Sequence, residues 1–168
     1  MSLRFSPTTE GIRVRAADRE LAVLRAVPGF LSTVADDAVD GSQRRLDRPV
    51  YPDDPDADRE FRRLTASDAH EARTSDREIL ETVIGRLDSG AADLSIGEGE
   101  ALVRAIGSAR IALAARSGLL ELEELPSDPD TPQQLLIVFL GMVQEDLVAA
   151  LTDSLPPPSR HQPAKGTS

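Results

Sequence analysis

No cysteine occurs in the 168 residues, there is no tryptophan, and a single lysine, Lys165, accompanies 18 arginines. The first absence removes disulfides, thiolate nucleophiles, zinc–cysteine sites and any thiol switch together, and with them any reading of the redox compartment. Aromatic residues make up only 3% of the chain, as four Phe and one Tyr. Leu, Ile, Val and Ala must therefore fill the core, which suits helix packed on helix. Long apolar runs are missing as well. The opening MSLRFSPTTEGIRVRA has none, and LLIVFL at 135–140 is far too short to span a bilayer. The expected location is the cytoplasm, with no membrane contact. Positive charge is also in deficit. A net charge of −10 repels phosphate backbones and makes cationic protein surfaces the better partners, while leaving room for a local basic patch.

The length suits one domain, expected over residues 1–154, followed by a disordered Pro-rich tail, LPPPSRHQPAKGTS at 155–168. Leu3 and Phe5, then Ile12 and Val14, alternate with polar residues around SPTTEG and predict a two-stranded hairpin over 3–15. A lone hairpin is marginal in water, so its apolar face must pack on helices. Asp18 is placed to cap a helix carrying Leu21, Leu24, Leu31 and Val34, with a kink or interruption at Pro28-Gly29. Residues 36–56 read as an exposed acidic loop. A further helical region starts near Asp54 and stops at Gly90, as one long helix or two, since Ser75 and Glu78 have capping-box spacing. Ser95 and Glu98 repeat that spacing before a thin, Ala-rich helix to Gly118, expected to be central. Thr131, Pro132 and Gln134 open the last helix, which reads as buried on both faces near 135–143. The fold class is thus mainly α, a bundle of about four to five helices with a small N-terminal two-stranded β-hairpin.

Candidate chemistry fails motif by motif. Asp54, Asp56 and Asp58 have the rhythm of a calcium loop, but Arg59 stands where glycine is needed and Thr65 where the bidentate glutamate belongs. Helix punctuation explains them better: Asp54 as cap, Pro55 in first position, acids in the first turn. His70 opens a His-Glu pair whose second histidine is replaced by Thr74, and His161 sits in the tail. Ser108 lies within a helical pattern, not on a strand-to-helix elbow. IGEGEA at 96–101 lacks the glycine spacing and lysine of a phosphate loop. No catalytic residue, cofactor or metal ligand is therefore assigned, and no enzyme activity is expected.

Three arginine groups remain as candidate partner-binding residues: Arg4, Arg13 and Arg15 on the hairpin, Arg44, Arg45 and Arg48 in the loop, and Arg59, Arg62 and Arg63 on a helix. Without interleaved aromatics, in an acidic chain, they favour structural or protein contact over DNA reading. Direct DNA contact through the hairpin ribbon stays open. So does a homodimer through the Ala-rich helix and the apolar strip of the last helix, a strip that burial inside one subunit explains equally well.

In YPDDPDADREFRRLT, ALVRAIGSARIALAARSGL and LLIVFLGMVQEDLVAAL, the chain resembles an actinobacterial family of AosR-like oxidative-stress transcriptional regulators, formerly catalogued only as a domain of unknown function. The likeness spans most of residues 3–152. It implies a mostly helical domain that influences transcription through protein–protein contact, with an alternative sigma factor or RNA polymerase as partner. Redox sensing in that family is associated with cysteine, so a disulfide switch cannot carry over to this chain. Genes of the family often neighbour the one for the ClpS adaptor, which motivates the alternative of an adaptor or partner in Clp-type regulated proteolysis.

Overall fold

The computed structural model describes residues 3–36, 41–119 and 129–155. Alternation at the N-terminus produces the expected hairpin: β1 (Arg4–Pro7) pairs antiparallel with β2 (Gly11–Arg15), with Phe5 opposite Val14 and Arg4 opposite Arg15. Ile12 and Val14 point inward and are 0% and 1% exposed, which anchors a ribbon too small to stand alone. A third strand, β3 (Ala91–Ser95), pairs antiparallel with the other edge of β2, placing Ile12 opposite Leu94 and Val14 opposite Ala92. The sequence reading missed it because AADLS offers just two inward side chains, one of them alanine. Gly11 makes the pairing possible: a Cβ there would lie 2.0 Å from the Leu94 carbonyl oxygen.

The described residues form four long helices and one short one, of which three pack on the sheet. The first, α1 (Asp18–Asp36), runs through Pro28 without being interrupted; Asp18 is its first residue, not its cap. Proline deletes the bond to the Leu24 carbonyl, yet Leu24, Val27 and Val34 are buried on both sides of the break, and their packing carries the helix across it. Where a continuous loop was expected over 36–56, α2 (Gly41–Leu46) seats fully buried Ser42 against α4, its Oγ 3.2 Å from the Ala112 carbonyl. Residues 37–40 of that segment lie outside the described residues. A single helix, α3 (Pro55–Leu87), spans the next 33 residues, so Ser75 and Glu78 are interior positions and form no cap.

Both other capping boxes form. Ser95 opens α4 (Ile96–Arg116), accepting from the Glu98 N–H, and Thr131 opens α5 (Pro132–Ser154), accepting from the Gln134 N–H, each at 3.2 Å. α4 occupies the middle, in contact with α1, α2, α3, α5 and the sheet. Its Ala101, Ala105, Ala109 and Ala112 are at most 2% exposed, and such small side chains let neighbours approach closely; each would cost about 1–3 kcal/mol if enlarged. A bidentate pair from Arg104 to the Asp76 carboxylate, at 2.8 and 2.9 Å, ties α3 to α4. The main core gathers Leu24, Leu80, Val83, Ile106, Leu140 and Leu147 with the inward residues of β2 and β3.

The last helix departs from expectation. α5 buries Ile137, Leu140, Val143, Leu147 and Ala150 on one side, but Leu135, Val138 and Met142 are 54%, 39% and 51% exposed on the other. One face of a helix is covered by α4 and the sheet, and none of the other described elements lies over the second. By length and composition alone α5 is long and apolar enough to cross a membrane, with a mean hydropathy of 1.8 over its most apolar 18 residues, a test that a core helix passes as well. Of the tail expected over 155–168, Leu155 alone lies among the described residues.

Candidate functional site

From Pro55 to Ser75, α3 buries no residue except Asp58. The apolar stripe that holds the helix to the core begins only near Ile79, so its N-terminal half, the arm, is held mainly by polar contacts. Asp54 caps it, accepting from the Ala57 N–H at 3.0 Å, and Pro55 occupies the first turn. Asp58 then turns back to the preceding segment. Its Oδ1 accepts from the N–H groups of Val50 and Tyr51, at 2.8 and 3.3 Å, and its Oδ2 accepts from Arg62 Nε at 2.7 Å. Arg62 also donates to the Asp47 carbonyl at 2.6 Å, and Arg73 pairs with the Asp47 carboxylate. The Arg62 guanidinium holds the Asp58 carboxyl below its ordinary range; burial opposes this, and the two backbone N–H groups assist it. Each of the three aspartates that mimic a calcium loop is thus occupied by protein donors, Asp56 by Arg59.

This clamp fixes the 47–51 turn against the helix and has one visible consequence. Tyr51 meets Phe61 edge to face, with ring centroids 5.9 Å apart. Both remain in solvent, at 46% and 36% exposure, beside Val50 at 54% and Leu64 at 61%. Phe61 and Leu64, three residues apart, lie on one face of the arm. Around them stand Arg59, paired with Asp56, and Arg63, whose two bonds to Glu60 lower that carboxyl's proton affinity. Arg48 is exposed and makes no ion pair among the described residues. Arg45 is half-buried in α2, and the Arg44 side chain lies outside the described residues.

The hairpin arginines sit elsewhere. Arg13 bonds Asp93 across the sheet through Nε and Nη2, both at 2.7 Å, which raises its own proton affinity and lowers that of Asp93. Arg4 and Arg15 face each other in register on the solvent side. Arg86, near the end of α3, joins the sheet by donating to the Asp93 carbonyl. At 1.5 Å per residue, the sheet group is about 35 Å along α3 from Arg63. The arginines whose side chains are described therefore fall on two surfaces, and the structure does not bring them together.

His70 is exposed and borders a cavity of about 30 Å³ between α1 and α3, room for little more than one water. Asp76, also at that cavity, is committed to Arg104. Sequence reasoning missed the Tyr51–Phe61 pair and the Asp58 clamp. A signal for the first was present: the only tyrosine of an aromatic-poor chain stands in an otherwise polar, Pro-rich stretch.

No curated protein and no solved structure matches the chain. Residues 2–151 match the family described as a domain of unknown function, DUF2017, and with that match running nearly from end to end the chain belongs to this family.

Proposed function

We propose that this protein is a non-enzymatic, cytoplasmic regulator of transcription of the AosR-like kind, acting through protein–protein contact at the arm, with a sigma factor or RNA polymerase as the partner. The observation that carries the contact reading is the joint exposure of Val50, Tyr51, Phe61 and Leu64. Two of only five aromatic residues are kept in water there. Fully burying one such side chain contributes about 1.5–3 kcal/mol, so a partner that covers the patch recovers what folding alone leaves unused. An aromatic centre with arginines around it is the composition of interface hot spots. The net charge of −10 favours a cationic partner surface. The transcriptional identity of that partner rests on the resemblance of the arm, α4 and α5 segments to the AosR-like regulators. Without cysteine, its input is something other than a thiol switch.

Nuclease-treated affinity capture of the tagged chain from its own cells, with mass spectrometry of what stays bound, tests the reading. Recovery of a sigma factor or RNA polymerase by the native chain, and its loss from the Tyr51→Ala/Phe61→Ala variant, is the expected result. Recovery of Clp protease subunits in their place would replace the transcriptional reading with the adaptor one, and recovery unaffected by the substitutions would remove the arm as the contact.

A further inference from the structure

We propose that the groove between α1, α4 and α5 is a small-molecule site that takes an apolar amine, with Glu20 receiving its cationic head. The groove encloses about 700 Å³ and is walled by Val27, Phe30, Leu113, Leu136 and Phe139, within the size range of sites that hold small ligands. Glu20 lines it at 6% exposure, and its Oε2 is buried and accepts no hydrogen bond. An unpaired acceptor in such a setting is costly, and a carboxylate more so. The negative charge stands in the first turn of α1, where the helix dipole favours it, yet no N–H reaches that oxygen.

Among the described residues no arginine pairs with Glu20. Arg19, on the rim, is the other charged residue of the lining, and it forms no ion pair with Glu20. Residues 120–128, LELEELPSD, which connect α4 to α5, contain four acids and no base. One buried carboxylate in a wall that is apolar apart from Arg19 at the rim selects for a molecule with a hydrocarbon body and a single positive head. Neutral alcohols forgo the ion pair and carboxylates are repelled. No residue of α3 borders the groove, so this site and the arm stand or fall separately.

Calorimetric titration of the full chain with octylamine, octanol and octanoate, each below its micellar concentration, tests the assignment. Octylamine is expected to bind at least tenfold more tightly than octanol, and octanoate not at all. Glu20→Gln should weaken octylamine at least tenfold, leave octanol unchanged and not lower the Tm of the free chain, as loss of a merely structural carboxylate would. Ala26→Phe, at an exposed position of the groove wall, should block both ligands. Failure of octylamine to bind, equal affinity for all three probes, or octylamine affinity untouched by Glu20→Gln would each overturn the proposal.

Discussion

Asp58 shows how one side chain sets the geometry of the candidate contact surface. It is the only buried residue of α3 from Pro55 to Ser75, and it holds Val50, Tyr51 and Arg62 at once. Its proton affinity is depressed in the folded chain. A depressed carboxyl contributes stability that is complete above the unfolded value and is lost as pH falls through the folded one. The chain has one tyrosine and no tryptophan, so intrinsic emission reports Tyr51 alone. On acidification that emission should titrate below the ordinary aspartate range, and Asp58→Asn should abolish the step while leaving the native spectrum at neutral pH altered. An unchanged titration in the variant would show that another group governs the turn. Residue roles that depend on near neighbours were legible in the sequence: the Asp54 cap and the Ser95–Glu98 and Thr131–Gln134 boxes each act over three positions. Asp58, Ser42 and Glu20 were not, because their burial and their partners, or lack of them, are decided by segments folded onto them from elsewhere.

At the scale of elements, helices were readable where an apolar stripe and a cap coincide, as in α4 and α5. The reading failed where tertiary contact decides. Packing of Val27 and Val34 carries α1 past Pro28, α2 exists because Ser42 and its neighbours meet α4, and β3 exists because β2 offers it an edge beside Gly11. Within α3 the two halves differ in what holds them. Leu80, Val83, Ile84 and Leu87 bind the C-terminal half to the core, while the arm has short-range ion pairs and the Asp58 clamp. Exposed ion pairs add little compared with apolar burial. Amide exchange should therefore reveal opening of residues 60–72 at free energies several kcal/mol below those of 80–87, whose exchange should approach the global value of about 5–15 kcal/mol. Equal protection along α3 would mean that the arm is held by contacts other than these.

Across the whole molecule, exposed large apolar side chains among the described residues gather in two places. One is the arm, with Val50, Tyr51, Phe61 and Leu64; the other is α5 with adjoining α4, where Leu135, Val138, Met142, Val148 and Ile111 stand in water. The first carries aromatics and flanking arginines and suits a foreign partner. Among the described residues the second has no aromatic pair and none of the flanking arginine clusters of the arm. Sequence alone showed apolar residues in both stretches and assigned the second to the interior, since periodicity cannot tell a face covered by a neighbour from one left bare. The arm and the sheet lie about 35 Å apart along α3, so substitutions on the hairpin, Arg4 and Arg15 included, should leave an arm contact intact. The most direct test is the affinity of purified RNA polymerase holoenzyme for the native chain and for Tyr51→Ala/Phe61→Ala, with Arg4→Ala/Arg15→Ala as control. A loss of at least about thirty-fold, or about 2 kcal/mol, is expected in the arm variant at unchanged Tm, and none in the control. Equal affinity for all three proteins, or no binding by the native chain, would contradict the arm contact.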